Sequence, residues 1–149
     1  MDDNELVDKW DQRFIRMANL IATWSKDPSS QIGCVVVKDN KVLATGYNGF
    51  PKGILDDPER LSDRQIKYGL MVHAEMNAIY NAAFHGVSLL GATMYVAGLP
   101  VCSECAKGIL SVGVKRIVMD GDPNNERWAD SWSKTEKMFR ESKVEYEFI

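Results

Sequence analysis

Apolar residues recur along the chain with helix-like and strand-like spacings that alternate. Near the amino terminus they are three or four residues apart, which predicts a helix with one apolar face. We expect this helix to end before Asp27-Pro28, because proline disfavours helical geometry in the residue before it. Its apolar stripe consists of Leu6, Trp10, Phe14, Met17 and Ile21.

Two strands are predicted next, at residues 32–38 and 41–47. Both segments are rich in β-branched and apolar residues. The Asp39-Asn40 pair between them suits a two-residue hairpin turn. The two segments therefore predict an antiparallel pair of strands.

The remaining segments continue the alternation. Gly113 is a stop signal for the helix before it, and Trp128, Trp132 and Phe139 lie in the last helical pattern. Helices are predicted at residues 73–84, 105–112 and 127–142, and strands at 93–97, 114–119 and 144–149. This order of elements predicts an α/β fold.

Length and composition predict one domain spanning residues 1–149. Of the 149 residues 45% are apolar, and no linker rich in Pro, Gly or Ser divides the chain. The uncharged stretch 86–103 is interrupted by Gly and Pro, so it predicts loop, strand and loop instead of a membrane span. The amino terminus, Met1-Asp2-Asp3-Asn4-Glu5, is acidic where a secretory signal is basic and then apolar. We therefore expect a cytoplasmic protein that does not contact membranes.

A metal-binding motif stands in two parts of the chain, His73-Ala74-Glu75 and Cys102-x-x-Cys105. One His and two Cys supply three ligands of a tetrahedral Zn²⁺ and leave the fourth corner for water, as a catalytic zinc requires. Glu75 is close enough to His73 to move protons beside that water without binding the metal. This arrangement is the signature of zinc nucleobase deaminases.

The predicted elements place both parts of the motif at helix amino termini. The positive end of a helix dipole favours thiolate over thiol, and residues three apart in a first turn share one face. Val101 separates Pro100 from Cys102, whereas proline usually precedes the cysteine directly; we interpret this as a small change in the loop. The alternative is a core His with cysteines that are buried or form a redox pair.

Charge favours a small substrate. The net charge is −3, the predicted pI is about 5.4, and Lys and Arg form no continuous stripe. Capture of a polynucleotide backbone needs such a stripe. The third cysteine, Cys34, lies in an apolar run and is predicted to be a buried strand thiol.

Beyond the zinc motif, the chain resembles the cytidine and deoxycytidylate deaminase family, and within it the deoxycytidylate (dCMP) deaminases. Together with residues 102–107, the similar stretches cover the chain from about residue 10 to residue 119. The pattern departs at Trp24, where the family more often has Arg. The stretches are SKDPSSQIG at 25–33, GYNGFPKG at 46–53 and HAEMNAI at 73–79.

The resemblance implies a three-layer cytidine-deaminase-like fold, with a central mixed five-stranded sheet flanked by helices. It implies one catalytic Zn²⁺ per chain, held by His73, Cys102 and Cys105. The implied reaction is hydrolytic deamination of dCMP to dUMP with release of ammonia. In that reaction Glu75 takes a proton from the zinc-activated water, protonates N3 of cytosine and later serves the departing amino group. The choice between dCMP and dCTP stays open.

Substrate contacts are also implied. Asn48 matches an Asn that contacts the sugar in related deaminases, and its amide can both donate to and accept from a 3′-hydroxyl. Asn48-Gly49 is equally a common turn pair. Trp128 is a candidate for stacking on the base, although packing beside Trp132 explains its position as well. Candidates for the 5′-phosphate are Ser25, Lys26 and Arg127, and the alternative for each is an ordinary surface residue.

The resemblance further implies homohexamers that respond to dCTP as activator and dTTP as inhibitor, with Mg²⁺ on the effector. Candidate effector residues are Tyr47, Gly49, Asp56 and Asp57, and an ordinary Gly/Pro-rich loop is the alternative. Two other functions stay open. A tRNA adenosine deaminase would share the motif but need a basic face, and a non-catalytic module with structural zinc would bind nucleotide without releasing ammonia.

Overall fold

The computed structural model describes residues 8–149, so Leu6 and the acidic residues 1–5 of the sequence predictions lie outside the described part. The helices are α1 (Lys9–Ala22), α2 (Pro58–Ser62), α3 (Arg64–Leu70), α4 (Ala74–His85), α5 (Ser103–Ser111) and α6 (Ala129–Ser142). The strands are β1 (Gly33–Lys38), β2 (Lys41–Tyr47), β3 (Thr93–Ala97), β4 (Arg116–Asp120) and β5 (Glu145–Phe148). A 3₁₀ turn, Glu126–Trp128, precedes α6.

The five strands form one mixed sheet in the order β2-β1-β3-β4-β5. β1 pairs antiparallel with both β2 and β3, whereas β3, β4 and β5 run parallel. Asp39 and Asn40 have φ angles of 54° and 59°, so both adopt the left-handed geometry that a two-residue hairpin turn requires. The predicted hairpin is therefore present.

Helix α1 covers one face of the sheet. Asp8 caps it, accepting a hydrogen bond from the Asp11 backbone while the Asp11 carboxylate accepts one from the Asp8 backbone. Its apolar stripe packs against alternate residues of β1 and β3. Gly33 permits this close packing, since a Cβ there would overlap the backbone of Ala18.

Helices α4, α5 and α6 cover the other face. Their buried residues form one core with Cys34, Val36 and the inward residues of β3 and β4. β1 is buried on both faces because helices lie on both sides of it. These layers confirm the predicted three-layer fold with a five-stranded mixed sheet.

The edge strand β2 is fastened to α4 by two asparagines one helical turn apart. The Asn77 side chain donates to the Tyr47 carbonyl and the Asn81 side chain to the Thr45 carbonyl, both at 2.8 Å. Between these anchors Gly46 lets the helix lie directly on the strand, because a Cβ would overlap the backbone of Ala74 and Ala78. The amino end of α4 is therefore fixed relative to the sheet.

Two short helices, α2 and α3, were not predicted. The α2 helix has no buried residue, and the buried residue of α3 is Lys67, so the segment lacks the apolar period that marks a packed helix. Asp57 and Asp63 cap their amino termini. Among residues 8–149, no helix combines the length and the apolar character that crossing a membrane requires.

Candidate active site

The two parts of the zinc motif meet where α4 and α5 begin. His73 is the residue directly before α4, and Glu75 lies in the first turn of that helix. Cys102 occupies the corresponding position before α5, where its sulfur accepts a hydrogen bond from the Cys105 backbone. The sequence predicted that these helices begin at residues 73 and 105, whereas they begin at Ala74 and Ser103. His73 and Cys102 therefore precede the helices and have extended backbone conformations. Their side chains can therefore turn towards each other.

Three donor atoms form a compact cluster. The Nδ1 atom of His73 lies 3.3 Å from the Sγ atom of Cys102 and 3.3 Å from that of Cys105, and all three ligand atoms are within 4.8 Å of one another. Tetrahedral zinc with its usual bond lengths would set nitrogen and sulfur roughly 3.6 Å apart. One imidazole and two sulfurs are also the donors that zinc prefers. The residues present therefore fit a Zn²⁺ ion.

The electrostatics of the cluster favour a cation. A hydrogen bond from Cys105 lowers the pKa of Cys102 to about 4. The same bond and burial raise the pKa of Cys105, and the hydrogen bond to Cys102 raises that of His73. The Cys102 sulfur is thus favoured as a thiolate beside an imidazole and a second sulfur, and a dication would be stabilised by this set of donors.

Glu75 is a buried carboxyl group, only 4% exposed, in the cavity beside this cluster. Burial raises the pKa of Glu75 to about 7, and the Cys102 thiolate adds to the shift. A carboxyl group that titrates near neutral pH can both accept and donate a proton during a reaction.

A cavity of about 780 Å³ opens onto the cluster. Its wall combines the motif residues with the loop after α1, the α2–α3 segment and the start of α6. This volume accommodates a nucleotide-sized molecule. Predicted residues in the lining are His73, Glu75, Cys102, Asn48, Arg127 and Trp128.

The loop before Cys102 is held by α6. Val101 is fully buried, its carbonyl accepts a hydrogen bond from Thr135 at 2.9 Å, and the Ser103 backbone donates to Ser131. The extra residue between Pro100 and Cys102 therefore serves as an anchor to the core. Trp132 packs in the core and also borders the cavity, and Trp128 lines the cavity with the Arg127 guanidinium 5.0 Å from its ring.

Asn48 is buried and its amide is oriented by the protein. Its oxygen accepts from the Ile32 backbone at 2.9 Å, and its nitrogen donates to the Ser30 carbonyl at 2.8 Å and to Asp27. Ser25 lies behind it, donating to the Asn48 carbonyl. The predicted sugar contact stays a prediction, and the free lone pair of the amide oxygen is the group left to make it.

The other predicted residues lie away from the cavity lining. Ser25 is buried, and Lys26 forms an exposed ion pair with Asp56 at 3.2 Å. Asp57 caps α2, and the half-exposed Tyr47 packs its ring edge-on against Trp24. Their phosphate and effector roles stay predictions.

Sequence reasoning did not identify Lys67, Arg64 and Tyr68, which line the cavity from α3. The Lys67 ammonium group is buried and forms an ion pair with Asp27 at 3.1 Å. Lys67 is a charged residue on the inward side of α3, and such a residue needs a buried partner. That partner, Asp27, lies 40 residues away in the sequence. A pairing over that distance has no local pattern.

The fold and the site together define a class of protein. Two helix amino termini on a three-layer α/β scaffold bring three zinc donors to one cavity, beside a carboxyl group whose pKa is near neutral. This combination is that of the zinc-dependent hydrolytic deaminases. Residues 8–120 match the family described as "Cytidine and deoxycytidylate deaminase zinc-binding region". The chain belongs to this family, which confirms the resemblance identified in the sequence.

Known relatives agree with this assignment. The chain is 42% identical to the deoxycytidylate deaminase of Mus musculus over 120 residues, which cover 76% of this chain and 66% of the mouse enzyme. It is 34% identical over 146 residues to an uncharacterized deaminase in the luxG 3′ region of Aliivibrio fischeri, covering 97% and 96% of the two chains. The crystal structure of dCMP deaminase from the cyanophage S-TIM5, in complex with dCMP and dUMP, shares the fold. Its TM-score is 0.72 at 23% identity, with 100% and 99% of the chains covered.

Proposed function

We propose that the protein catalyses the hydrolytic deamination of dCMP, in which dCMP and water give dUMP and ammonia. The observation that carries the proposal is the cluster of His73, Cys102 and Cys105 beside buried Glu75 in a nucleotide-sized cavity. The 42% identity to a deoxycytidylate deaminase supports the choice of base and sugar. The enzyme class is that of a hydrolytic deaminase.

The metal is zinc, with His73 Nδ1 and the two sulfurs as its ligands. When bound, Zn²⁺ lowers the pKa of a coordinated water from 15.7 to about 7 and so supplies a nucleophile at neutral pH. The helix dipoles of α4 and α5 and the low pKa of Cys102 prepare the ligands for a dication.

Glu75 is the proton carrier. Its carboxylate accepts a proton from the attacking water and delivers it to N3 of cytosine. It then takes the remaining proton from the hydroxyl group added at C4 and passes it to the amino group, so that the C4–N bond breaks, ammonia leaves and the C4 carbonyl forms. Its burial beside the metal ligands keeps its pKa near the working pH, so both directions of transfer are accessible.

Asn48 and Arg127 are the proposed substrate contacts in the cavity. Asn48 accepts a hydrogen bond from the 3′-hydroxyl of the sugar through the free lone pair of its amide oxygen. Arg127 holds the 5′-phosphate, because a guanidinium group binds phosphate through two parallel hydrogen bonds.

Two further properties are proposed on the family resemblance alone: the enzyme forms homohexamers, and it responds to dCTP and dTTP with Mg²⁺ on the effector. A cytoplasmic location is proposed because the three free cysteines suit a reducing compartment. Light scattering of the purified protein measures the assembly, and ammonia release with added dCTP and Mg²⁺ or dTTP and Mg²⁺ measures the regulation. A monomeric protein would contradict the proposed assembly. A rate of ammonia release that neither dCTP nor dTTP changes would contradict the proposed regulation.

The deciding experiment is ammonia release from deoxycytidine, CMP, dCMP, dCTP and a tRNA in parallel assays. We expect dCMP to have by far the largest kcat/KM. Equal efficiency on deoxycytidine and dCMP would show that no phosphate contact contributes, and turnover on tRNA alone would make the protein an editing enzyme.

A further inference from the structure

Among residues 8–149, two arginines at the cavity mouth have no carboxylate partner. Arg64 begins α3, and Arg127 lies in the 3₁₀ turn before α6, so they reach the cavity from different parts of the chain. The ion pairs formed within residues 8–149 involve neither of them. In the described part of the chain, neither guanidinium group is therefore paired with a carboxylate.

Both guanidinium groups bind the same phenol oxygen. Arg127 Nη2 donates to Tyr68 Oη at 2.8 Å, and Arg64 Nε donates to it at 3.3 Å. The phenol keeps two like charges close together, and the two arginines lower the pKa of Tyr68. An anion placed between the guanidinium groups would relieve their repulsion.

The neighbouring lysine adds no net charge to this group. Lys67 lies 5.5 Å from the Tyr68 ring, but its ammonium group is paired with Asp27. Among the described residues, the cations of this group without a carboxylate partner are therefore the two guanidinium groups. A phosphate monoester carries about −1.5 to −2 at neutral pH, and two guanidinium groups can balance that charge.

We propose that Arg64 and Arg127, spaced by the Tyr68 hydroxyl, form a clamp that binds the 5′-phosphate and selects nucleoside monophosphates over nucleosides. The clamp rests on the proposed function for the identity of the nucleotide, and it adds Arg64 and Tyr68 to the phosphate contact of Arg127. Two planar guanidinium groups, one from α3 and one from the 3₁₀ turn before α6, fix both the position and the orientation of the phosphate.

Isothermal titration calorimetry with dUMP and deoxyuridine tests the clamp without turnover. We expect Arg64→Met to weaken dUMP binding by roughly 10-fold or more and to leave deoxyuridine binding unchanged, because a charge-assisted contact is lost. Arg60→Met is the matched control: Arg60 lies on α2, donates to the Leu55 carbonyl and does not line the cavity, so its dUMP affinity should stay within about twofold of wild type.

Equal dUMP affinities of wild type and Arg64→Met would overturn the clamp, and so would an equal loss in Arg60→Met. Steady-state kinetics add a second readout. The kcat/KM of Arg64→Met should fall at least about 10-fold on dCMP but not on deoxycytidine. An equal fall on both substrates would mean that Arg64 only supports the fold, and would also overturn the clamp.

The same experiment separates this inference from the proposed function. A wild-type protein that binds dUMP through Arg64 but releases no ammonia from dCMP would refute the deaminase activity and leave the clamp intact. Ammonia release from dCMP that is unaffected in Arg64→Met would do the reverse.

Discussion

Glu75 has two environments on one side chain: apolar burial on the α4 side and the metal ligands on the cavity side. Burial and a nearby thiolate both disfavour the charged carboxylate, which is why its pKa rises to about 7. An amide of the same shape can occupy this position but cannot carry a proton.

We therefore expect Glu75→Gln to keep its zinc and its dUMP affinity while kcat on dCMP falls by roughly 10²-fold or more. Ammonia release measures the rate, and elemental analysis measures the metal. Glu104→Gln is the control. Glu104 is an exposed residue of α5, the helix next to α4, and it forms an ion pair with Lys107 of the same helix. Turnover near the wild-type rate in Glu75→Gln would mean that another group moves the proton.

The cysteine ligands make a second prediction for single residues. Cys102→Ala and Cys105→Ala should each lose the one zinc bound per chain, because two remaining donors hold the ion poorly. Cys34→Ala is the control, since Cys34 is fully buried in the core and is not part of the donor cluster. Full zinc occupancy in both ligand variants, measured by elemental analysis, would contradict the site.

At the scale of elements, the contact of α4 with β2 sets the position of His73 and Glu75. The strand and the helix touch backbone to backbone at Gly46, and a methyl group there must push them apart. A shift of the helix moves the donor atoms as well as the core.

Gly46→Ala should therefore lower both stability and activity. We expect a loss of about 1–3 kcal/mol in the free energy of unfolding, typical of overpacking, together with weaker zinc binding. Gly69→Ala in α3 is the matched control, because a Cβ there has no neighbouring atom of residues 8–149 within 4 Å, and it should be neutral or slightly stabilising. Urea unfolding and zinc titration of both variants check this, and equal stabilities would show that α4 can move without cost.

Helix α1 is locked to the sheet by a buried carboxylate. Asp11 accepts two hydrogen bonds from Arg116 at 2.8 Å and one from Tyr95 at 2.6 Å. Burial opposes its ionisation, but the bonds from Arg116 and Tyr95 outweigh burial, so the pKa of Asp11 lies below its ordinary value of 3.8. Its contribution to stability is present above that ordinary value and is lost as the pH falls through the lower folded value.

Asp11→Asn should lower the free energy of unfolding by about 2–3 kcal/mol at pH 7 and flatten the loss of stability in acid. Asp130→Asn is the control, because Asp130 forms an exposed pair with Lys134 and should cost less than about 0.5 kcal/mol. Urea titrations at several pH values test both. Parallel acid profiles for wild type and Asp11→Asn would refute the role of this carboxylate.

The sequence was sufficient wherever one local pattern determined the structure. Apolar periods predicted the five strands, α1, α4, α5 and α6, and the His/Cys spacing predicted the donor cluster. The α2–α3 segment was missed, since its attachment is polar and depends on Lys67 meeting Asp27 across the fold. Arg64 and Tyr68 were not identified for the same reason. The Tyr68 oxygen accepts from arginines of two different elements, and such a tertiary contact leaves no periodic pattern in the sequence.

At the scale of the whole molecule, zinc would join elements that are distant in sequence. His73 precedes α4 and Cys102 precedes α5, and both helices lie in the same core. An ion that binds the folded chain more tightly than the unfolded chain raises stability by mass action, by about 2.7 kcal/mol at 100 times its Kd.

A chelator should therefore lower the melting temperature of the wild-type protein, and excess zinc should restore it. In Cys105→Ala, neither the chelator nor excess zinc should change the melting temperature, which differential scanning fluorimetry measures. A wild-type melting temperature that the chelator leaves unchanged would contradict a bound zinc.

The asparagine anchors of β2 also affect how copies of the protein can meet. An exposed edge strand is a template on which another chain can add a strand, and this is a common route to aggregation. Here the Asn77 and Asn81 side chains already donate to the carbonyls of Tyr47 and Thr45, so an incoming strand would compete with them for those acceptors. Addition of a strand along β2 is therefore disfavoured at these two residues, and contact between copies at this end of the sheet would favour side chains.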